Sequence, residues 1–190
     1  KPVCLKVRVP SFAKNLRVNG QVTAYSEELS FEIPAGQPAH IDVAFDTLPM
    51  LVDRPHDLKC VQCGPLVFSL PISYEKKMLE FERNGVERKF PYCDYEFIPT
   101  SAWNYAYSSP FFKLEKRDIS DIPFSSEHPP VVLKAEVKRI PWGLEDGYAA
   151  VCAKVPQSLI PLSEAETVEL YPYGCAKLRM TEMPVVKMPK

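Results

Sequence analysis

Alternation of apolar and polar residues sets the first expectation for this chain. In VCLKVRV (3–9), Val3, Leu5, Val7 and Val9 fall on one side and Lys6 and Arg8 on the other. That period of two reads as a half-buried strand. LSFEI (29–33) and HIDVAF (40–45) alternate in the same way around the turn PAGQP. Between residues 15 and 25, Asn19-Gly20 separates two short alternations. Asn-Gly supplies both positive-φ positions of a type I′ turn, so a hairpin is expected there. VVLKAEVKRI (131–140) is the clearest strand: Val131, Leu133, Ala135 and Val137 share one face, and Val132, Lys134, Glu136 and Lys138 the other.

Elsewhere the pattern is less regular. LPMLVDRPHD (48–57) reads as a loop with two prolines, and KCVQCGPLVFSLP (59–71) as one long strand. Gly64-Pro65 interrupts that strand, as a bulge or bend does. Residues 74–90 hold the one stretch where a short helix or a polar excursion is expected, turned by Asn84-Gly85. The stretch 141–166 is loop-like, and TVELYPYG and CAKLRMTE close the chain as two strands joined at Gly174.

These signals give about 11 or 12 short strands, which fits an all-β sandwich or jelly roll. An α/β fold lacks the helices it needs between strands. Composition agrees. Twenty prolines against seven glycines are spread along the chain. Each would cost a helix interior about 3 kcal/mol, and so they punctuate strands rather than helices.

Charge adds mainly exclusions. The net charge is −1 with both signs intermixed. A nucleic-acid partner would need a basic stripe, and none is present. No apolar run approaches the ~18 residues of a membrane span. The chain opens KPVCLKVRV, already in a strand pattern. It is expected to be cut from a longer protein, which leaves the compartment open.

Candidate chemistry is sparse. Cys60 and Cys63 form a lone C-x-x-C among six cysteines. A zinc site calls for a second pair, and residues three apart on a strand face opposite ways. Structural thiols are expected. His40, His56 and His128 have no metal-ligand spacing. Acidic pairs such as Glu80/Glu82, Asp94/Glu96, Asp118/Asp121 and Glu145/Asp146 lie in charged contexts, not in the apolar pocket that raises a carboxyl pKa. No catalytic, cofactor or metal residue is expected in this chain. The aromatics Tyr92, Tyr95, Phe97, Trp103, Tyr105 and Tyr107, with Trp142 later, could stack on sugar rings, and Asn104 could bond their hydroxyls. They could equally build the core of a small module. Trp103, Asn104, Tyr105 and Trp142 are carried forward as possible sugar-contact or domain-interface residues.

Three stretches together resemble a known family: VQCGPLVFSL (61–70), IPTSAWNY (98–105) and LYPYGCAKLRMTE (170–182). So does the opening strand, with Phe12 where the family usually has Trp, followed by its V-N-G hairpin. The chain is similar to the C-terminal β-sandwich region of the family 127, β-L-arabinofuranosidase-like glycoside hydrolases. The resemblance implies a first sandwich of residues 1–90 plus 163–190 and an inserted β module of 91–162. It also implies that the chemistry lies upstream. In that family a cysteine nucleophile with zinc and a glutamate acid/base belong to a helical-barrel domain, whose motifs this chain lacks. The chain would then be a non-catalytic accessory region with its own barrel as partner and carbohydrate as a possible ligand. The alternative is a free-standing carbohydrate-binding module.

Overall fold

A computed structural model describes residues 1–148 and 151–186. The fold is all-β and sandwich-like, with two single-turn 3-10 helices at Pro55–Asp57 and Tyr173–Cys175. No helix among the described residues is long and apolar enough to cross a membrane. The strands are β1 (Val3–Arg8), β2 (Lys14–Val18), β3 (Gln21–Val22), β4 (Glu28–Ile33), β5 (Val43–Asp46), β6 (Pro49–Asp53), β7 (Lys59–Cys63) and β8 (Leu66–Pro71). They continue as β9 (Tyr74–Leu79), β10 (Phe81–Arg83), β11 (Val86–Arg88), β12 (Asp94–Pro99), β13 (Tyr105–Lys116), β14 (Val131–Arg139), β15 (Glu166–Pro172) and β16 (Arg179–Met180). The chain divides into two compact units, Lys1–Pro49 with Cys63–Pro65, and Met50–Gln62 with Leu66–Lys190. This division runs differently from the expected grouping of 1–90 plus 163–190 against 91–162.

The first unit is built from thin sheets. β1 pairs antiparallel with β4, Val7 opposite Leu29 and Leu5 opposite Phe31, so the two apolar faces coincide. β2 pairs with β3 and with β5. The Asn19-Gly20 hairpin is present, with φ of 50° and 78°. Asn19 also fixes the neighbouring chain: its side-chain oxygen accepts from the Asp42 N–H at 2.9 Å. Val9, Ala13 and Leu16 form the buried centre, with Leu29, Val43 and Phe45 packed on it.

The second unit is organised on a seven-stranded sheet in the order β13-β14-β15-β8-β7-β6, with β16 on β8. The expected strand 131–140 is present as β14, between β13 and β15. The structure corrects several expectations. Residues 49–53 of the supposed loop form β6. The supposed single strand 59–71 is two neighbouring strands, because Gly64 takes φ of 58° and reverses the chain instead of bulging it. Residues 74–90 hold no helix: β9 pairs with β12, and β10 with β11 around Asn84-Gly85. Their side chains are exposed throughout, so no alternation of burial marks these strands. The closing segment is β15, the 3-10 turn and a two-residue β16, not two full strands.

Parts of the large sheet are covered on both faces. In β13 the consecutive residues Tyr105, Ala106 and Tyr107 are all buried. In β14 Val132 is fully buried although it sits on the face shared with Lys134 and Glu136. Burial of both faces replaces alternation by continuous apolar runs.

Candidate functional site

Trp103 and Asn104 lie in the loop before β13, not on a strand; Tyr105 is the first residue of β13. Trp142 lies just beyond β14. Because Tyr105 sits opposite Arg139, Asn104 and Ile140 meet at the end of the ladder. The Ile140 N–H donates to the Asn104 carbonyl at 2.9 Å, and the Asn104 side-chain amide donates to the Ile140 carbonyl at 2.8 Å. Asn104 therefore spends its donor on the backbone and ties two loops together.

The structure brings the two tryptophans into contact, edge to face, with ring centroids 5.8 Å apart. Trp142 is buried with Ala106, Ile140 and Val186, and Trp103 packs half-buried against that cluster. The Trp142 indole N–H donates to the Ala153 carbonyl at 2.8 Å. A sugar platform needs an open ring face. Trp142, 5% exposed, has none, and Tyr105 is 6% exposed. Burial, and then the charge of Glu166, push the Tyr105 phenol up from its ordinary value. Trp142 and Tyr105 are thus core side chains.

Deeper in the sheet, Tyr107 is fully buried, and among the described residues its hydroxyl has no hydrogen-bond partner. Burial drives its pKa upward. Burial also raises the pKa of the Cys60 and Cys175 thiols, which keeps both protonated and poor as nucleophiles. All six cysteines are free. Among the described residues no three His, Cys, Asp or Glu side chains converge as metal ligands, so nothing described here would hold the zinc that the resemblance implies.

The acidic residues are no better placed. Among the described residues Ser69 is the one buried polar residue, so no Asp or Glu is buried. Glu80, Glu82, Asp94, Asp118, Asp121, Glu145 and Asp146 are exposed, and Glu96, half-buried, pairs across the ladder with Lys77.

Sequence reasoning missed a groove of about 950 Å³ on the second unit. The 3-10 turn after β6 lines it with His56 and Asp57, and the loop after residue 151 with Lys154 and Gln157. Leu58, Val155, Pro156 and Leu159, with Trp142, make its apolar surface. His56 (φ 63°, ψ 33°) and Asp57 (φ 57°) are both in the left-handed region. Consecutive non-glycine residues there are uncommon and cost conformational energy. The R-P-H-D stretch signals a turn, but no sequence pattern announced its conformation or the distant segment that faces it. An adjoining groove of about 740 Å³ shares Gln157, Leu159 and Val185.

No protein-family model matches the chain, and no curated protein matches it by sequence. Its structure is similar to the crystal structure of a family 127 β-L-arabinofuranosidase from Geobacillus stearothermophilus T6, with a TM-score of 0.52 at 15% identity. The match covers 97% of this chain and 26% of the enzyme. At that identity the likeness is one of fold, and the chain spans about a quarter of the enzyme's length.

Proposed function

We propose that this chain is a non-catalytic accessory β region of a family 127-like glycoside hydrolase, which braces a helical-barrel catalytic domain. One observation carries the reading: the fold likeness takes in 97% of this chain yet only 26% of the enzyme. A region of that kind accompanies a larger body that supplies the chemistry.

The composition of the candidate sites supports the same reading. Glycoside hydrolysis usually takes two carboxyl groups about 5–10 Å apart. One must stay protonated near neutral pH, which an apolar pocket achieves by raising its pKa. Among the described residues no carboxyl group is buried. The Trp103–Trp142 cluster, with the Asn104 clamp, is suited to holding loops rigid. Rigid loops are what a bracing surface needs. The parent enzyme would act on glycosides, with arabinofuranosides as the first class to try.

The test is hydrolysis of p-nitrophenyl α- and β-arabinofuranosides, first by this chain alone and then by the chain joined to or mixed with a helical-barrel domain of the family. The expected result is no turnover by the chain alone and a higher melting temperature for the barrel in its presence. Turnover by the chain alone, abolished when a single acidic residue is changed to Ala, would overturn the reading.

A further inference from the structure

We infer that the groove between the His56–Asp57 turn and the 152–159 loop binds a neutral oligosaccharide. The groove borders the tryptophan cluster: Trp142 is among its lining residues, with its indole N–H already given to the Ala153 carbonyl. Its volume, about 950 Å³, lies in the range of small-molecule sites and leaves room for more than one sugar ring.

The polar groups are uncommitted. Among the described residues, no hydrogen bond or ion pair holds the side chains of His56, Asp57, Lys154 or Gln157, all of them outside the buried core. Together they offer both functions that hydroxyl groups require. Asp57 accepts, Lys154 donates, and Gln157 and His56 do both. They come from two segments far apart in sequence that line one concavity.

Charge selects among ligands. Asp57 offsets Lys154, and Lys59 is already ion-paired with Asp53. A phosphate or another anion would call for an excess of cationic donors, and a metal cation for several carboxylates. Neither is present, so the balance favours a neutral ligand. The apolar lining comes from Leu58, Val155, Pro156 and Leu159 together with Trp142, and it suits the C–H faces of a sugar ring. The backbone gives independent support. A turn with no binding role could take glycine at φ near +60° without penalty, whereas this one holds His56 and Asp57 there. Strain of that kind gathers at ligand clamps. The choice of oligosaccharide among neutral, hydroxyl-rich ligands rests on the accessory reading above; the groove's chemistry does not.

The experiment titrates the full chain with arabino-, xylo-, manno- and cello-oligosaccharides, following backbone amide signals and the heat of binding. Saturable binding by at least one of them is expected, with shifts centred on residues 56–59 and 154–159 and little dependence on salt. Asp57→Gly, which keeps the positive φ, and Gln157→Ala should each weaken it about tenfold, the loss of one or two hydrogen bonds, without lowering the melting temperature. His56→Gly should weaken binding while the melting temperature holds or rises, because the strain is relieved. Any of three results overturns the proposal: no saturable binding, binding that survives both the Asp57 and the Gln157 variants, or shifts centred on Trp103. Preferential binding of inorganic phosphate or of a proline-rich peptide would also overturn it. Failure here leaves the hydrolysis assay untouched, and turnover by the chain alone would end the accessory reading without bearing on this titration.

Discussion

The two compact units use the same raw material, short alternating strands, but hold themselves together differently. In the first, three side chains form the buried cluster: Val9, Ala13 and Leu16. Polar staples surround them. Arg17 is 2.8 Å from Asp46, Asn15 donates to the same carboxylate at 2.8 Å, and Lys6 meets Glu28 at 2.8 Å. In the second, single strands bury runs of neighbours, Tyr105 to Tyr107 in β13 and Phe68 to Leu70 in β8. Alternation thus marks a strand with one face covered, whereas a strand covered twice loses it. Stability should follow: concentrated in apolar packing in the second unit, shared with surface electrostatics in the first.

The sharpest break should come from Trp142→Ala in the second unit. The ring is 5% exposed, contacts Trp103 edge to face, and bonds the Ala153 carbonyl. Removing a buried large aromatic costs about 3–5 kcal/mol, and here the Ala153 carbonyl also loses its donor. Denaturant unfolding measures the loss. A cost below about 1 kcal/mol, the scale of surface substitutions, would mean that the tryptophans are surface features after all.

A smaller effect is expected from Leu16→Ala in the first unit. Leu16 is 3% exposed but has few buried neighbours. A site near the surface relaxes more easily around a deleted side chain, so the cost should fall at the low end of the usual range, about 2–3 kcal/mol. Hydrogen exchange in β2 and β5 would localise it. A loss as large as that of Trp142→Ala would contradict the contrast between the units.

Much of this contrast was open to sequence reasoning, and some of it was not. The Asn19-Gly20 hairpin was legible because the turn depends on two adjacent residues alone. So was β14, whose pattern spans nine residues. The strands of residues 74–90 were not. Their residues are exposed and charge-rich, and β9 is made a strand by its pairing with β12, which lies beyond an intervening hairpin. The Gly64-Pro65 reversal was misread because Gly-Pro suits a bulge and a turn equally. The aromatic residues were weighed as core or platform; Tyr105, Tyr107 and Trp142 are buried and Trp103 meets Trp142, whereas Tyr92 is 81% exposed. The groove depends on two positive-φ residues facing a remote loop, which no local pattern encodes.

The smallest effect, and the one that isolates the polar side of the comparison, concerns acid. Hydrogen bonds from Arg17 first and Asn15 second hold the Asp46 carboxyl below the usual aspartate range. A carboxylate whose pKa is depressed by folding stabilises the fold fully above its unfolded value, near 3.9. That contribution fades as pH falls through the lower folded value. Glu115 in the second unit is depressed in the same direction, chiefly by Lys134, but the apolar core there dominates. The melting temperature of Asp46→Asn should therefore lie slightly below that of the parent at neutral pH and converge with it in acid, below about pH 4. Added salt should narrow the neutral-pH gap, since the pair is exposed enough to be screened. The corresponding Glu115→Gln comparison should show a smaller fractional change in its own unit. A gap for Asp46→Asn that persists unchanged into acid would mean that the asparagine fails for reasons of shape, and that the Arg17–Asp46 charge pair contributes nothing to the first unit.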